Sequence, residues 1–216
     1  MTILRARDIA WSLLGFDSRL VAVAEYGALH VTFNNAGLGG AVGPIEHTSV
    51  ADWDRTMAVL LRSVFLGTKH SIAHMRAAGG GSILSTASIA GLRGGAGPHA
   101  YSAAKAAVVN LTRSFALELA RDNIRINALS PGPMRTLAGS VVGDSRNVFK
   151  WYKNYSPLRK TVELSHVGGA ALYFLSDLSA GVTGEIHHID AGFTVMGMPS
   201  APDVKALMGG SDKDDL

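Results

Sequence analysis

The sequence contains no cysteine and no long uninterrupted apolar stretch, and each absence excludes a class of protein. Without cysteine, neither disulfides nor thiol chemistry can contribute. No stretch reaches the roughly 18 consecutive apolar residues of a membrane-spanning helix. The N-terminal stretch carries Arg5, Arg7 and Asp8 among its apolar residues and lacks a clear cleavage site, so it does not resemble a secretion signal. We therefore expect a cytoplasmic protein.

Charge is also sparse, because charged residues make up 17% of the chain and the net charge is only +3. The basic residues are scattered among acidic ones, so we expect neither a nucleic acid nor a membrane as a partner, although an anionic cofactor would tolerate the sign. Apolar residues make up 47% of the 216 residues. That length and composition predict one globular domain, over 1–199, with a polar and flexible tail over 200–216.

Short apolar segments alternate with longer segments of helical character. We predict strands at 28–33, 82–86, 124–129 and 185–190, and helices at 3–26, 50–77, 99–121 and 162–178, the last interrupted by Gly168 and Gly169. Thr48 or Ser49 can cap the helix that begins at residue 50. Strands that alternate with helices indicate an α/β fold with a parallel sheet covered on both faces.

The stretch 81–105 brings together three groups that can carry chemistry. Ser88 follows a predicted strand, and Tyr101 and Lys105 lie four residues apart on one face of the next helix. A lysine ammonium beside a phenol favours the phenolate, so we expect the pKa of Tyr101 to fall from its usual value of about 10. Such a tyrosine could exchange a proton near neutral pH. From the spacing alone, an ordinary surface helix preceded by a serine in a turn is an equally good interpretation.

Ser88, followed after thirteen residues by Tyr101-x-x-x-Lys105, resembles the catalytic signature of the short-chain dehydrogenase/reductase family. The sequence Phe-Asn-Asn-Ala-Gly at 33–37 and Pro131-Gly132 resemble further motifs of that family, in the same order, and the resemblance extends to about residue 199. It implies a Rossmann-like, doubly wound parallel sheet and hydride transfer between NAD or NADP, with NAD slightly favoured, and a carbonyl or alcohol.

The resemblance also implies a role for each matching residue. Tyr101 would donate or accept the proton, Lys105 would bind the nicotinamide ribose and lower the tyrosine pKa, and Ser88 would orient the substrate oxygen. The implied cofactor-binding residues are Asn35, Ala36, Gly37, Tyr101, Lys105, Pro131, Gly132, Met134 and Thr136. No metal is implied, and His70 and His74, four apart on a predicted helix, lack a third ligand at a recognisable spacing.

One mark of the family is missing. Its glycine-rich Thr-Gly-x-x-x-Gly-x-Gly turn usually lies about seventy residues before the Asn-Asn-Ala-Gly motif, but only 33 residues precede Asn34 and they lack that turn. We therefore predict an N-terminally truncated sheet of about four strands, with weakened cofactor binding because the helix terminus that holds the pyrophosphate is absent. The strand at 28–33 would then lie at an edge of the sheet. We expect one of three outcomes for that edge: the N-terminal helices cover it, it pairs with another copy in a homo-oligomer, or it causes aggregation.

Two further departures affect function. Leu60 stands where the family commonly has an asparagine that holds a water in its proton relay. The segments 131–138, 156–162 and 175–185 resemble the enoyl-acyl-carrier-protein reductases of fatty acid biosynthesis, whereas the spacing from Tyr101 to Lys105 is that of carbonyl and alcohol members. The chain reads like a ketoreductase-type centre joined near Leu129 to an enoyl-reductase-type end.

Three functions remain open from the sequence. The first is a carbonyl or alcohol oxidoreductase, the second a non-catalytic remnant that acts through association, and the third an enoyl thioester reductase. Several other side chains have two interpretations each. His99 could line the mouth of the pocket or only begin a helix. His187 and His188 point to opposite faces of a strand, so one should be buried and the other exposed. Trp151, Tyr152 and Tyr155 could equally well belong to a substrate lid or to the core.

Overall fold

The computed structural model describes residues 18–134 and 145–196, and describes side chains for 21–134 and 148–196. Four strands and six α-helices are described, together with a π-helical turn and several short 3₁₀ turns. In chain order the elements are α1 (Ser18–Tyr26), β1 (Val31–Asn34), α2 (Val50–Met57), the π-helical turn (Ala58–Arg62), α3 (Ser63–Ala77), β2 (Gly81–Thr86), α4 (His99–Leu119), β3 (Ile124–Pro131), α5 (Ser145–Tyr155), α6 (Leu164–Leu175) and β4 (Ile186–Ile189).

The four strands form one parallel sheet in the order β1-β2-β3-β4, which confirms the predicted fold class and strand number for the described part of the chain. The register pairs Asn34 with Ser85, Thr86 with Leu129, and Pro131 with Ile189. All four strands run the same way, so their carboxyl ends meet along one edge of the sheet, which is where ligands bind in open α/β folds.

Helices cover the sheet on both faces, and alternate residues of β2 and β3 separate the two layers. Ile83 and Ile126 point to the layer of α3 and α4 and pack against Met75. Leu84 and Leu129 point to the opposite layer, where α6 covers them through Ala171 and Phe174. Each fully buried side chain of this size contributes about 1.5–3 kcal/mol, so the two layers hold the central strands rigid under the loops.

Local structure differs from the sequence prediction in two places. The predicted helix at 50–77 begins as expected, with the hydroxyl of Ser49 accepting from the backbone N–H of Asp52, but it is broken by the π-helical turn. The predicted interruption at Gly168 and Gly169 is wrong, because both lie within the continuous helix α6. A methyl group built on either would meet nothing within 4 Å, so this face of α6 is open.

One sheet edge differs from expectation, and the other agrees with one of the three predicted alternatives. One of His187 and His188 was expected to be buried, but both are exposed, because β4 has only one strand partner among the described residues. At the other edge, α1 packs into the layer of α3, where Ala22 joins the cluster that contains Leu29 and Met75. The part of 3–26 that precedes Ser18, and the tail from 197, lie outside the described residues.

Candidate active site

The three candidate catalytic residues lie at the carboxyl end of β2 and on the first turns of α4. Ser88 follows β2 in extended backbone, and its Oγ accepts from the backbone N–H of Ala90 at 3.2 Å, which fixes the start of the loop. Pro98 precedes α4, and its restricted φ suits a residue that leads into a helix. Tyr101 and Lys105 therefore face back across the loop toward Ser88.

One glycine makes this close approach possible. A methyl group at Gly91 would lie 2.6 Å from the backbone carbon of Lys105, so any other residue here would push the loop away from α4. Because Ser88 lies on the loop and Tyr101 on the helix, their relative position depends on that contact. The glycine-rich composition of this loop thus has a packing reason.

Lys105 is buried, with 4% of its surface exposed, and its Nζ donates to the backbone carbonyl oxygen of Thr86 at 2.5 Å. The same Nζ lies 5.6 Å from the centroid of the Tyr101 ring. Burial lowers the pKa of Lys105 to about 8. The lysine is therefore close to its titration point at neutral to mildly alkaline pH and is tied to the end of β2.

The predicted fall of the tyrosine pKa is wrong in this structure. Burial raises the pKa of Tyr101 above its usual value, and a side-chain hydrogen bond with Ser88 lowers it only in part. Lys105 is itself disfavoured as a cation by burial, so it does not offset the desolvation of the phenolate. Tyr101 is consequently a protonated phenol across the neutral range, in a state to donate a proton.

A cavity of about 590 Å³ opens in front of these residues at the carboxyl edge of the sheet. It collects eight of the ten predicted site residues from four separate stretches of the chain: Asn35, Gly37, Ser88, Tyr101, Lys105, Pro131, Gly132 and Met134. Ala36 does not line it, and Thr136 lies outside the described residues. His99 is exposed and does not line it either.

Thr86 is a site residue that the sequence prediction missed. Its Oγ1 donates to Oδ1 of Asn35 at 2.7 Å, and its carbonyl oxygen accepts from Lys105, so it links two cavity-lining side chains. The strand register shows why Thr86 reaches Asn35: Asn34 pairs with Ser85, so the next residues along the two strands are neighbours. That register was not available from the sequence.

Leu60 occupies the centre of the π-helical turn and is 1% exposed. A methyl group on Gly37 would lie 3.3 Å from its Cδ2, so the leucine packs tightly under the loop that follows β1. A leucine side chain neither donates nor accepts a hydrogen bond. A proton relay cannot pass through the side chain at this position, as the sequence departure predicted.

The far end of the cavity is apolar and is formed by α5 and α6. Its lining there consists of Val148, Phe149, Leu164, Val167 and Ala171. Tyr152 belongs to the core, because it is 1% exposed and its hydroxyl donates to the carbonyl oxygen of Asp190. Trp151 and Tyr155 lie on the surface, about half exposed, so neither the lid nor the core interpretation holds for them.

The described residues contain no group of three or more His, Asp or Glu side chains that could hold a metal ion. Among the described helices, none combines the length and the apolar character needed to cross a membrane. The lining of the cavity presents a phenol, a hydroxyl and an amine, from Tyr101, Ser88 and Lys105, beside an apolar space.

Comparison with known proteins agrees with this geometry. A family model described as Enoyl-(Acyl carrier protein) reductase matches residues 20–194. A cis-4-hydroxycyclohexanecarboxylate dehydrogenase from Sinomonas cyclohexanicum is 38% identical over 81% of this chain and 70% of its own length. The chain belongs to the short-chain dehydrogenase/reductase family. Its four-stranded sheet is thus part of that family's Rossmann-like fold.

The relatives of a second kind are enoyl reductases. The enoyl-[acyl-carrier-protein] reductase [NADH] 1 of Rhizobium meliloti (strain 1021) is 49% identical over 48% of this chain and 39% of its own length. The crystal structure of the enoyl-(acyl-carrier-protein) reductase from Anaplasma phagocytophilum in complex with NAD superposes with a TM-score of 0.76 at 34% identity, covering 85% of this chain and 71% of that one. The chain thus spans between about two fifths and seven tenths of the lengths of these relatives.

Proposed function

We propose that the chain is an oxidoreductase that transfers a hydride between a nicotinamide cofactor and the carbonyl or alcohol carbon of a small apolar substrate. The observation that carries this proposal is the convergence of Ser88, Tyr101 and Lys105 in one cavity with apolar walls. A phenol beside a hydroxyl suits proton transfer to a single oxygen atom. The apolar far wall suits a hydrocarbon substrate body rather than a charged one.

Each polar group has one task in this reaction. In the reductive direction Tyr101 donates its phenolic proton to the substrate oxygen, and the hydroxyl of Ser88 hydrogen-bonds the same oxygen as it gains negative charge. Lys105, held by the Thr86 carbonyl with its Nζ 5.6 Å from the centroid of the Tyr101 ring, would bind the nicotinamide ribose, as the family resemblance implies. Addition of one hydride and one proton converts the carbonyl to the alcohol, and the reverse steps oxidise it.

The residues present fit one half of a dinucleotide. Asn35, Gly37, Pro131 and Gly132 line the cavity from two neighbouring loops. A methyl group on Gly132 would run into the Tyr152 hydroxyl, so this loop packs closely on the buried tyrosine. We assign the nicotinamide and its ribose to this side. A bound nicotinamide would supply or accept the hydride.

The names of the relatives include both nicotinamide cofactors, because the Rhizobium reductase is named for NADH, the Anaplasma structure contains NAD and the Bacillus cereus enoyl reductase structure contains NADP+. NAD is our working choice of the two. We expect weak binding by this chain. The strand-to-helix turn that would hold a pyrophosphate at a helix N-terminus is missing from the described residues, so the adenosine half has few partners. A homo-oligomeric, cytoplasmic enzyme acting on a small molecule is the corresponding expectation.

Reduction of an enoyl thioester is the second candidate. It is favoured by the family model and by the identity of 49% to the Rhizobium enoyl reductase. Against it stands the spacing of four residues between Tyr101 and Lys105, which resembles carbonyl and alcohol members of the family. The two reactions place the hydride on different carbon atoms, so the choice of substrate separates them.

A substrate panel tests both candidates. The full chain, with NADH in the millimolar range, is offered cyclohexanone and crotonyl thioester in separate reactions, and NADH fluorescence is titrated in parallel. We expect reduction of the ketone, with half-saturation by NADH only at high concentration because of the weak pyrophosphate side. Reduction of the thioester alone would favour the second candidate. Absence of both turnover and NADH binding would favour a non-catalytic role through association.

A further inference from the structure

The outer surface of α5 and the turn after it exposes large apolar side chains. Val148, Trp151 and Tyr155 follow one another at helical spacing and are 49%, 50% and 47% exposed, and Leu158 beyond the helix is 62% exposed. The rings of Trp151 and Tyr155 stack at 4.9 Å between centroids. We call these four side chains, together with the exposed Lys150 and Lys153, the α5 face. Contiguous apolar patches of this kind usually mark a contact surface.

The stretch of sequence that contains the α5 face is basic. Between residues 145 and 162 there are five basic residues and no acidic one: Arg146, Lys150, Lys153, Arg159 and Lys160. A partner for this surface must therefore combine apolar side chains with negative charge. Complementary charge adds specificity and speeds the encounter more than it adds affinity.

The described chain ends beside this face. The 3₁₀ turn Phe193–Val195 packs its phenylalanine ring against Trp151, at 5.7 Å between centroids. Arg93 donates to the carbonyl oxygens of Thr194 and Met196 and fixes the direction in which the chain leaves. Val195, two residues after Phe193, is an exposed apolar side chain, with 81% of its surface accessible.

Residues 197–216 have the composition that this surface requires. They contain apolar residues in the middle and acidic ones around them, namely Val204, Leu207 and Met208 with Asp203, Asp212, Asp214 and Asp215. Lys205 and Lys213 are the basic residues of this segment, so its net charge is opposite to that of 145–162.

We propose that residues 197–216 dock on the α5 face of the same chain. The segment is long enough to reach the whole face. Twenty extended residues span up to about 70 Å, whereas the eleven-residue helix α5 measures only about 16 Å. The tether makes docking intramolecular, with an effective concentration in the millimolar range, so individually weak contacts suffice. Because Val148 also lines the cavity, the docked segment lies beside the cavity mouth.

Amide hydrogen exchange of α5 tests the docking. We compare the full chain with a chain that stops at Met196, and expect exchange of the α5 amides to be about tenfold slower in the full chain, a ratio that corresponds to about 1.4 kcal/mol. In 0.5 M salt most of this protection should disappear, because the exposed charge pairs are screened. Equal exchange in the two chains at low salt would overturn the proposal.

Two full-length variants guard against a folding defect in the shortened chain. Asp212→Lys, Asp214→Lys and Asp215→Lys combined should abolish most of the protection, whereas Lys205→Gln with Lys213→Gln should keep it. On the other partner, Lys150→Glu with Lys153→Glu should abolish it, and Arg62→Glu with Lys69→Glu, on exposed positions away from α5, should not. If the protection persists in the variant with three Asp→Lys changes and also in the separate variant with Lys150→Glu and Lys153→Glu, the proposal is overturned.

The occupant is identified by concentration dependence. Docking within one chain predicts protection that is independent of protein concentration as long as the oligomeric state is unchanged. Protection that appears only as a dimer forms would assign the α5 face to a second copy and contradict docking within the chain. Protection that requires an added acidic protein would do the same. None of these readouts depends on catalysis, so failure of the proposed oxidoreductase function leaves them interpretable.

Discussion

Tyr101→Phe is expected to lower kcat for ketone reduction by about a thousandfold, which lies within the range of roughly 10²–10⁴ contributed by a positioned general acid. The substitution removes one oxygen atom from a ring that burial keeps protonated, so it removes the proton donor and little else. NADH should still bind, since Lys105 and the loops after β1 and β3 are unchanged. Steady-state turnover and an NADH fluorescence titration measure the two effects separately.

Tyr26→Phe is the matched control, because that tyrosine is 68% exposed on α1 and does not line the cavity. It should leave kcat within experimental error. A melting temperature measured for all three proteins shows whether loss of the hydrogen bond with Ser88 has affected folding. Turnover by Tyr101→Phe at the wild-type rate would exclude Tyr101 as the proton donor.

Lys105→Met is expected to remove a pH-dependent part of the stability. The pKa of Lys105 is about 8 in the folded chain and 10.5 in its ordinary state. Below pH 8 both folded and unfolded chains hold the proton, and burial of the cation destabilises the fold. Between pH 8 and 10.5 only the unfolded chain holds it, so stability rises with pH, by up to about 3 kcal/mol at 1.36 kcal/mol for each pH unit.

The measurement is urea unfolding of the wild type and the variant at pH 7 and at pH 10.5. At pH 7 the Lys105→Met variant should have the larger free energy of unfolding, because it buries no cation. Loss of the hydrogen bond to the Thr86 carbonyl should reduce this gain by about 1 kcal/mol. Its advantage should shrink or reverse at pH 10.5. Lys69→Met on the exposed surface of α3 is the control and should show no such change. Parallel pH curves for wild type and Lys105→Met would contradict the assigned pKa.

Together these expectations describe a site in which burial, rather than ion pairing, determines the protonation states of Tyr101 and Lys105. Tyr101 stays protonated and Lys105 loses much of its cationic preference, because both lie in one poorly hydrated cavity. The lysine is held by a backbone carbonyl and not by an acid. A bound cofactor with a negatively charged phosphate would raise the lysine pKa again, so ligand binding should couple to proton uptake.

The sequence predicted the parts of the site that depend on short spacing. Tyr101 and Lys105 lie four residues apart on one helix, and helical geometry alone places them on one face. The strands were predicted within a few residues, because apolar runs rich in β-branched residues end at asparagine, glycine or proline. The meeting of β1, β2 and β3 at one edge followed from the parallel fold.

What the sequence could not predict depends on burial and on register. The direction of the Tyr101 pKa shift was wrong, since the degree of desolvation is set by how loops and helices close over the cavity. Thr86 was missed because its link to Asn35 requires knowledge of which strand residues are neighbours. The exposure of both His187 and His188 follows from the position of β4 at an edge of the described sheet, which local alternation does not reveal.

The central claim is that hydride passes from a nicotinamide to a carbonyl carbon in the cavity that contains Tyr101. Its most direct test uses NADH deuterated at both C4 positions, with cyclohexanone as substrate and mass spectrometry of the alcohol product. We predict one deuterium at the carbinol carbon in the product of the wild type, and about a thousandfold less product from Tyr101→Phe in the same time. Alcohol without deuterium, or no alcohol despite measured NADH binding, would contradict the account.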